Sequence, residues 1–226
     1  MKKMFLKTKE FWISTTKILI KMKEIIIIGT GGHATSCIDV LEAEGKFKIK
    51  GLIEKESSSK SKFMGYPILG IDKDLKKIKR ECEYAFIGVG QIKNYELREK
   101  KFNELISLGF KIPFIISPNA YVSKRSKIEL GTIVMHKVIV NSNVKIGMNC
   151  IINSRSLIEH DVEVEKNCHI STGTILNGGA KIGKNTFIGS GAILKEGIKV
   201  GENSIITAGS IVLKDVKNNN IYKNEK

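Results

Sequence analysis

The chain has 226 residues and carries 38 Lys and Arg against 23 Asp and Glu, a formal net charge of +15. This length suits one large domain or two modest domains, each able to bury a core. The basic residues are spread along the chain with many Ile and Asn, and no lysine cluster is interleaved with aromatic residues. We therefore interpret the charge as a compositional bias, which argues against a nucleic-acid surface and favours a small anionic substrate.

The four cysteines form no CxxC pair, so their spacing predicts no metal site. They also give no reason to expect an oxidising compartment, which makes the cytoplasm the predicted location. Residues 1–21 are basic and partly apolar, but Lys17 interrupts their longest apolar stretch and no cleavage site follows. We predict an extension outside the fold, an upstream start or loose segment, in preference to a signal peptide or a peripheral membrane helix. No segment is long enough for a membrane span.

Residues 22–116 are predicted to form an α/β domain. The apolar run from Ile25 to Ile28 reads as a strand, and it turns through glycines into a helix with apolar positions on one side. A second strand ends at Glu54, "EYAFIGVG" reads as a third strand, "NYELREKKFNELISLG" as a helix and "KIPFII" as a fourth strand. Strand and helix alternating through short glycine-rich turns predicts a small parallel sheet covered by helices, a Rossmann-like arrangement.

Residues 29–34 read Gly-Thr-Gly-Gly-His-Ala and satisfy the pattern GxGxxA. Glycines there let the backbone approach a phosphate that the helix N-terminus then favours electrostatically. Glu54 follows where an acidic contact to a ribose belongs. The alternative is a tight turn needed only for packing the helix on the sheet. The domain is short for a full dinucleotide fold, which favours a mononucleotide, a sugar nucleotide or a sugar acid over NAD.

Residues 117–216 carry a ladder with a period of six, followed by a tail at residues 217–226. Sixteen consecutive ladder positions are Val, Ile or Leu: Val122, Ile128, Val134, Val140, Ile146, Ile152, Ile158, Val164, Ile170, Leu176, Ile182, Ile188, Leu194, Val200, Ile206 and Val212. Three such hexads close one triangular coil, whose core forms only by stacking on its neighbours. The pattern predicts a left-handed parallel β-helix of about five coils between residues 120 and 213.

Cys150 and Cys168 are separated by three hexads, and each stands two positions before a ladder residue of consecutive coils. We interpret them as the same inward small position on adjacent coils rather than as a redox pair. His160 lies two positions after the ladder residue Ile158, and His169 lies directly before the ladder residue Ile170. Both are therefore expected near the outer surface or at a corner. A solvated histidine is the alternative, but His160 is followed by Asp161, a carboxylate that suits a general base. Gly178 follows His160 by one coil.

At these residues the chain resembles a known family. "IIIGTGGH", "PILG" at 67–70, "FIGVG" at 86–90 and "INSRSLIEHD" at 152–161, all with a hexapeptide ladder, are similar to the sialic acid O-acetyltransferase (NeuD) family. That family merges with the PglD-like N-acetyltransferases of nucleotide-linked amino sugars. The resemblance covers residues 23 to about 217. It implies an acetyl-CoA-dependent acetyltransferase that acts on a sialic acid-type or amino sugar in surface glycan biosynthesis, assembled as a homotrimer and without a metal.

The resemblance also implies roles for single residues. His160 would be the general base and Asp161 its acidic partner. The residues implied for acetyl-CoA are His169 at the thioester, Gly178 as backbone donor to the oxyanion, and Ser190 and Ala208 along the pantetheine. Those implied for the acceptor are Gly31, Gly32, His33, Glu54 and Gly88. Family members usually continue into a "GNPAK"-like segment that helps cover coenzyme A, whereas this chain reads "VKNNNIYKNEK", from which a lower coenzyme affinity or a slight truncation is expected.

Three alternatives stay open at this point. "FIGVG" and "SRSLIEH" look closer to the sialic acid type, with a UDP-4-amino-sugar N-acetyltransferase as the alternative within the family. From other classes, an NAD-dependent oxidoreductase would use the GxGxxA loop, and a trimeric sugar-binding scaffold would have no catalytic histidine.

Since the spacing of His160 and His169 is half a coil, the two are expected on different sides of one prism. We therefore predict that His169 reaches the His160 site from a neighbouring subunit, with three sites in the trimer.

Overall fold

A computed structural model describes residues 22–55, 61–92 and 94–224, so the extension predicted at residues 1–21 lies outside the described residues. Within these ranges no helix combines the length and the apolar character needed to cross a bilayer. The described chain folds as an N-terminal α/β domain followed by a left-handed parallel β-helix, as the sequence predicts.

The N-terminal domain is a five-stranded sheet with helices on both sides. Its strands lie in the order β3-β4-β2-β1-β5, parallel except for the pair β3 and β4. In chain order the elements are β1 (Lys23–Ile28), α1 (Gly32–Glu44), β2 (Phe47–Glu54), β3 (Lys62–Phe63), β4 (Tyr66–Ile71), a 3₁₀ turn (Asp72–Asp74), α2 (Leu75–Ile78), β5 (Tyr84–Ile87) and α3 (Glu96–Ser107). The first three predicted strands and both predicted helices are confirmed.

Strand β1 divides the hydrophobic core into two layers. Its isoleucines alternate between the faces of the sheet because successive side chains of a strand point to opposite sides. Ile25 and Ile27 join a cluster with α1, and this cluster continues into the interior of the β-helix. Ile26 and Ile28 join a second cluster with α2 and α3. The two domains therefore share one continuous apolar layer.

The prediction that "KIPFII" forms a fourth strand of this sheet is wrong, because its strand belongs to the β-helix. Ile115–Ile116 is the strand β6, and it pairs with Ile133–Val134 of the β-helix. Lys111 makes only an isolated bridge to Tyr84 at the sheet edge. The place of the fourth strand is taken by β4, which pairs with β2. A short apolar run is compatible with either sheet, and the pairing partner is decided by tertiary packing.

The β-helix has three faces, each a sheet of short parallel strands that recur once per coil. The face under the N-terminal domain, called the docked face, contains β6 (Ile115–Ile116), β9 (Ile133–Val134), β12 (Ile151–Ile152), β15 (His169–Ile170), β18 (Phe187–Ile188), β21 (Ile205–Ile206) and β23 (Ile221–Tyr222). The apolar face contains β7 (Tyr121–Val122), β10 (Ile139–Val140), β13 (Leu157–Ile158), β16 (Ile175–Leu176), β19 (Ile193–Leu194) and β22 (Ile211–Val212). The charged face contains β8 (Lys127–Ile128), β11 (Lys145–Ile146), β14 (Glu163–Val164), β17 (Lys181–Ile182) and β20 (Lys199–Val200).

The predicted ladder is the core of the β-helix. Each ladder residue is the second residue of a strand, and those from Val134 to Val212 are all buried. Cys150 and Cys168 are buried inside and stack, with the Cys168 N–H donating to the Cys150 sulfur at 3.4 Å. Both are free thiols, which confirms their interpretation as one inward position on adjacent coils. The solenoid extends past the predicted limits, through β6 at one end and β23 at the other.

The turns between faces share one backbone requirement. The third residue after a ladder position has a positive φ, as at Asn143 (62°), Asp161 (60°) and Gly179 (68°). Glycine, asparagine and aspartate tolerate this left-handed conformation best, which explains their recurrence at these corners. The corner positions are therefore rigid, and consecutive coils place equivalent corner residues directly above one another.

The outward side chains distinguish the three faces. On the charged face lysines and glutamates pair across coils, as Lys145 and Glu163 do at 3.2 Å. On the docked face the outward residues nearest the N-terminal domain are covered by it. On the apolar face the outward side chains remain uncovered in the single chain, with Tyr121 60% and Ile211 52% exposed. A continuous exposed apolar stripe of this kind is typical of a contact surface.

Candidate active site

His160 lies at the corner between the apolar and charged faces, directly after β13. Its side chain is 66% exposed, which confirms the expected outward position. The imidazole borders an open depression of about 610 Å³ lined by Glu159, Asn177, Gly178 and Glu196. A histidine held at a rigid corner beside open space can accept a proton from a bound molecule.

Asp161 orients this imidazole. Its Oδ2 lies 2.8 Å from His160 Nδ1, and its Oδ1 accepts a hydrogen bond from Asn143 at 3.2 Å. These contacts, the bond from His160 foremost, lower the pKa of the Asp161 carboxyl. The carboxylate therefore holds the proton of the neutral imidazole on Nδ1, which leaves the lone pair of Nε2 directed outward. The left-handed backbone at Asp161 suits this short side chain.

Gly178 occupies the same corner one coil later and touches the imidazole. A Cβ placed on Gly178 would lie 2.7 Å from His160 Cε1 and 2.8 Å from Nε2. Only glycine therefore leaves room for the histidine in this position. The backbone N–H of Gly178 donates to no acceptor among the described residues, whereas that of Gly179 bonds the His160 carbonyl at 2.9 Å. His160, Asp161 and Gly178 thus form one compact group, as the sequence spacing predicts.

Ser190 and Ala208 lie at a different corner. They follow β18 and β21 and precede the apolar face, so they line the corner between the docked and apolar faces. Both are exposed. The whole width of the apolar face separates them from His160 within one chain. The single chain therefore does not bring together all of the residues that the resemblance implies for acetyl-CoA.

The expectation that His169 projects near the outer surface is wrong. It points away from the prism axis, but the N-terminal domain covers it and the residue is only 6% exposed. Its Nδ1–H donates to the Gln91 carbonyl, Asn153 Nδ2 donates to its Nε2 at 3.3 Å, and the ring packs edge-on against Phe187. Burial lowers the pKa of His169 to about 4, although the bond to Gln91 opposes this effect. The neutral ring has no N–H left for a thioester. The prediction that His160 and His169 lie on different sides of the prism is confirmed.

Four of the five residues predicted for the acceptor, Gly31, Gly32, His33 and Gly88, line a second depression of about 470 Å³, at the carboxyl ends of β1 and β5. Gly31 and Gly32 have open space where a side chain would stand, so packing alone does not require glycine at these two positions. Helix α1 begins there without a side-chain cap and without an acidic residue in its first turn. Its free N–H groups and its dipole therefore favour an anionic ligand.

His33 lines this depression, whereas Glu54, the fifth predicted residue, lies beneath the loop. His33 Nε2 is buried and has no hydrogen-bond partner among the described residues. Burial, with a smaller effect from the charge of Arg98, lowers the pKa of His33 to about 3. Glu54 lies beneath the loop and accepts a hydrogen bond from Thr30 at 2.9 Å. Gly88 is fixed by packing, since a Cβ there would lie 2.9 Å from Ile27 and 3.0 Å from Ala34.

Two residues that the sequence analysis did not single out join the domains at this depression. Gln91 Nε2 donates to the Asn167 carbonyl at 2.7 Å, in addition to receiving the His169 bond. Arg98 of α3 is fully buried. It lies four residues before Phe102 and seven before Leu105, both buried, so its place on the inward face of the helix could have been read from the sequence.

The remaining histidine, His136, forms an interdomain contact. Its ring bonds Ser117 Oγ at 2.6 Å and Asp39 Oδ2 at 2.8 Å. This order of groups resembles a nucleophilic triad, but Ser117 is 1% exposed and cannot meet a substrate. Across the described ranges no group of three or more His, Cys, Asp or Glu side chains is placed to hold a metal ion.

Family comparisons agree with this architecture. The PglD N-terminal domain matches residues 24–105, the hexapeptide repeat of succinyl-transferase matches residues 138–177, and the bacterial transferase hexapeptide matches residues 179–214. Perosamine N-acetyltransferase from Caulobacter crescentus, a histidine-to-asparagine variant in complex with CoA and GDP-perosamine, is 27% identical with a TM-score of 0.82. The match covers 88% of this chain and 93% of that chain.

A second solved structure gives the same result. The acetyltransferase domain of PglB from Neisseria gonorrhoeae, in complex with acetyl coenzyme A, is 27% identical with a TM-score of 0.79 over 86% of this chain and 93% of that chain. The chain combines a PglD N-terminal domain with hexapeptide repeats, and it is an acetyltransferase. WeeI from Acinetobacter baumannii, at 22% identity and a TM-score of 0.73, shares the fold. The comparison with curated protein sequences gives no significant match. The acetyltransferase assignment replaces the oxidoreductase and scaffold alternatives.

The buried His169 makes the stability of the acetyltransferase depend on pH. Its folded pKa is about 4 against an ordinary value of 6.5. Between these two values the unfolded chain binds more protons than the folded chain. The free energy of unfolding is therefore unaffected by His169 above pH 6.5 and decreases as the pH falls below it. When the pH is lowered from 7.5 to 5, we expect the free energy of unfolding to decrease by about 2 kcal/mol less in His169→Gln than in the parent. Urea unfolding at both pH values and one protein concentration measures this difference, and equal losses would contradict it.

Substitution of Gly178 by alanine is expected to displace His160. The added Cβ would lie 2.7 Å from the imidazole, so the ring must turn away from Asp161. We expect kcat for acetyl transfer to fall by about 10²-fold, because small misplacements of a reacting group carry penalties of this size. The melting temperature should hardly change, since His160 is exposed. Glu196→Ala, one coil later in the same depression, is the control and should keep kcat. A fully active Gly178→Ala enzyme would show that the packing of His160 on Gly178 does not contribute to catalysis.

Proposed function

We propose that the enzyme transfers an acetyl group from acetyl-CoA to a sugar acceptor, with His160 as the general base. The observation that carries the proposal is the exposed His160 held by Asp161 at 2.8 Å and packed on Gly178. Relatives crystallised with CoA or acetyl coenzyme A support the choice of donor. All four cysteines are unpaired, which suits a reducing compartment, and we place the enzyme in the cytoplasm.

In the proposed reaction His160 carries one proton from the acceptor to the leaving sulfur. His160 Nε2 accepts the proton of the acceptor amine or hydroxyl while that atom attacks the thioester carbonyl. The Gly178 N–H donates to the oxygen on which negative charge develops. The imidazolium then returns its proton to the departing sulfur, and Asp161 stabilises the positive charge on the ring in between. The products are the acetylated sugar and free CoA.

The acceptor we propose is a nucleotide-linked amino sugar held in the depression around Gly31, Gly32 and His33. The uncapped start of α1 suits its phosphates, and relatives bound to GDP-perosamine support this class. Glu54 and Gly88 support the loops on either side. O-acetylation of a sialic acid-type sugar is the second candidate, favoured by "FIGVG" and "SRSLIEH". Both acceptors belong to surface glycan biosynthesis.

Transfer between these two places requires a second subunit. The acceptor depression lies over the docked face, whereas His160 lies at the corner opposite that face of the triangular prism. The body of the β-helix therefore stands between them in one chain. An acceptor bound by one subunit can reach His160 of another without crossing this core. The proposed active site is accordingly shared between subunits.

The apolar face provides the contact for a homotrimer. Of the three faces it alone is both apolar and uncovered, with Tyr121, Ile139, Ile193 and Ile211 exposed. In a closed ring the contact is head-to-tail and joins different patches of neighbouring subunits. One edge of the face, near His160, then meets the opposite edge of the next subunit. Ser190 and Ala208, which lie at that opposite edge, would line the pantetheine. His169, which the resemblance implied at the acetyl-CoA thioester, we instead propose as a supporting residue of the acceptor loop.

Replacement of the base gives the direct test of function. His160→Ala is expected to lower kcat by about 10² to 10⁴-fold and to leave acetyl-CoA binding nearly unchanged. Release of free thiol from acetyl-CoA is measured with UDP- and GDP-linked amino sugars and with sialic acid as acceptors. His136→Ala, at an interdomain contact, is the matched histidine control and should retain turnover once folded. A His160→Ala enzyme within a few-fold of the parent would disprove the proposed base, and no thiol release by the parent would disprove the proposed acceptors.

Charge introduced on the apolar face should separate the subunits. Ile193→Lys places an ammonium in the proposed interface, where burial of an unpaired charge is strongly unfavourable. We expect a folded monomer that has lost most of its acetyl transfer, whereas Lys181→Ala on the charged face should stay trimeric and active. Sedimentation equilibrium gives the mass of each protein. A monomeric parent, or a monomeric Ile193→Lys enzyme with full activity, would contradict the shared site.

A further inference from the structure

Arg98 is a fully buried guanidinium whose four hydrogen bonds all go to backbone carbonyls. Its Nη1 donates to Ile87 and Val89, each at 2.8 Å. Its Nη2 donates to Gly131 and its Nε to Asn149, each at 3.3 Å. It forms no ion pair with any described carboxylate. Burial lowers the pKa of Arg98 to about 10, so the side chain still carries its charge at neutral pH.

These four carbonyls belong to two different parts of the enzyme. Ile87 is the last residue of β5, and Gly88 and Val89, which follow it, belong to the loop that lines the acceptor depression. Gly131 and Asn149 lie in turns of the first coils of the β-helix. One planar side chain therefore ties the acceptor loop to the solenoid. A lysine ammonium lacks the fixed fork of donors needed to reach all four.

Neighbouring contacts continue this connection along the same seam. Gln91, three residues after Gly88, donates to the Asn167 carbonyl and accepts from His169. Asn167 in turn donates to Glu99, the residue after Arg98, at 2.7 Å. The loop is thus held from Ile87 to Gln91 against three consecutive coils. Arg98 is fully buried and bonds both the loop and the first coils, whereas Glu99, which is also charged, bonds only the β-helix side through Asn167 and Lys166.

We propose that Arg98 is a positioning residue that sets the place of the bound acceptor relative to the β-helix. The inference rests on the proposed function, in which the loop around Gly88 holds the acceptor. Through the β-helix and the apolar face, this loop is linked to the His160 of the neighbouring subunit. A shift of about 1 Å at a reacting atom can cost 10²-fold in rate, so a loosened loop should impair acetyl transfer.

The experiment compares Arg98→Met, Arg98→Lys and the control Lys101→Met. Lys101 lies on the same helix and is also buried, but it bonds Asp72 and Glu104 inside the N-terminal domain. For Arg98→Met we expect the acceptor KM to rise, or kcat to fall, by about tenfold or more, while the KM for acetyl-CoA changes less than about twofold. Arg98→Lys should recover part of the loss. Lys101→Met should lower the melting temperature and keep both KM values.

Amide hydrogen exchange provides a measurement that does not depend on activity. In folded Arg98→Met or Arg98→Lys protein, exchange in residues 88–92 should accelerate at least about tenfold while residues 139–212 keep the parent rates. Unchanged exchange in 88–92 together with unchanged kinetic constants would overturn the proposal and assign Arg98 to stability alone. If the parent transfers no acetyl group, the proposed function fails, and the exchange rates still decide whether Arg98 holds the loop.

Discussion

The structure depends on the stacking of one aliphatic side chain per hexad inside the β-helix. Because no coil has a core of its own, the ladder must keep its period of six, and each position must return to the same face after three hexads. This constraint fixes the direction and the height of every corner residue. It places Gly178 on His160, and it places Ser190 and Ala208 above one another at another corner. The geometry of the proposed catalytic site is thus a consequence of core packing.

The backbone of the turns adds a second constraint with a chemical result. The residue at 161 must adopt a positive φ, which short polar side chains tolerate. An aspartate there turns its carboxylate back onto His160, and Asn143 supports it from the equivalent position one coil earlier. The same corner geometry that closes a coil therefore orients the imidazole. No separate element is needed to hold the carboxylate.

The sequence predicts the parts of this structure that follow from periodicity. The ladder positions, the inward cysteines and the contact of His160 with Gly178 all depend on spacing alone. The burial of His169 was not predictable in this way, because the period gives the direction of a side chain and not what packs over it. That cover is the loop at Gln91, held by Arg98 through contacts between distant parts of the chain. For the same reason "KIPFII" was assigned to the wrong sheet, since its pairing partner is chosen by tertiary packing.

The separation of the two depressions decides what the rest of the molecule must do. In the proposed shared site the acceptor loop lies on the docked face and His160 at the opposite corner, so the proposal requires rigidity across the whole β-helix and across a subunit contact. Stacked short strands provide the first part, since adjacent coils are hydrogen-bonded throughout. In the proposed trimer the apolar face provides the second, with side chains whose burial favours one close packing. The remaining joint, between loop and solenoid, consists of polar contacts to backbone carbonyls, where hydrogen-bond direction fixes an orientation that apolar packing alone would leave less defined. A buried arginine without a carboxylate partner suits this place, because a carboxylate would occupy donors that here bond backbone carbonyls of both domains.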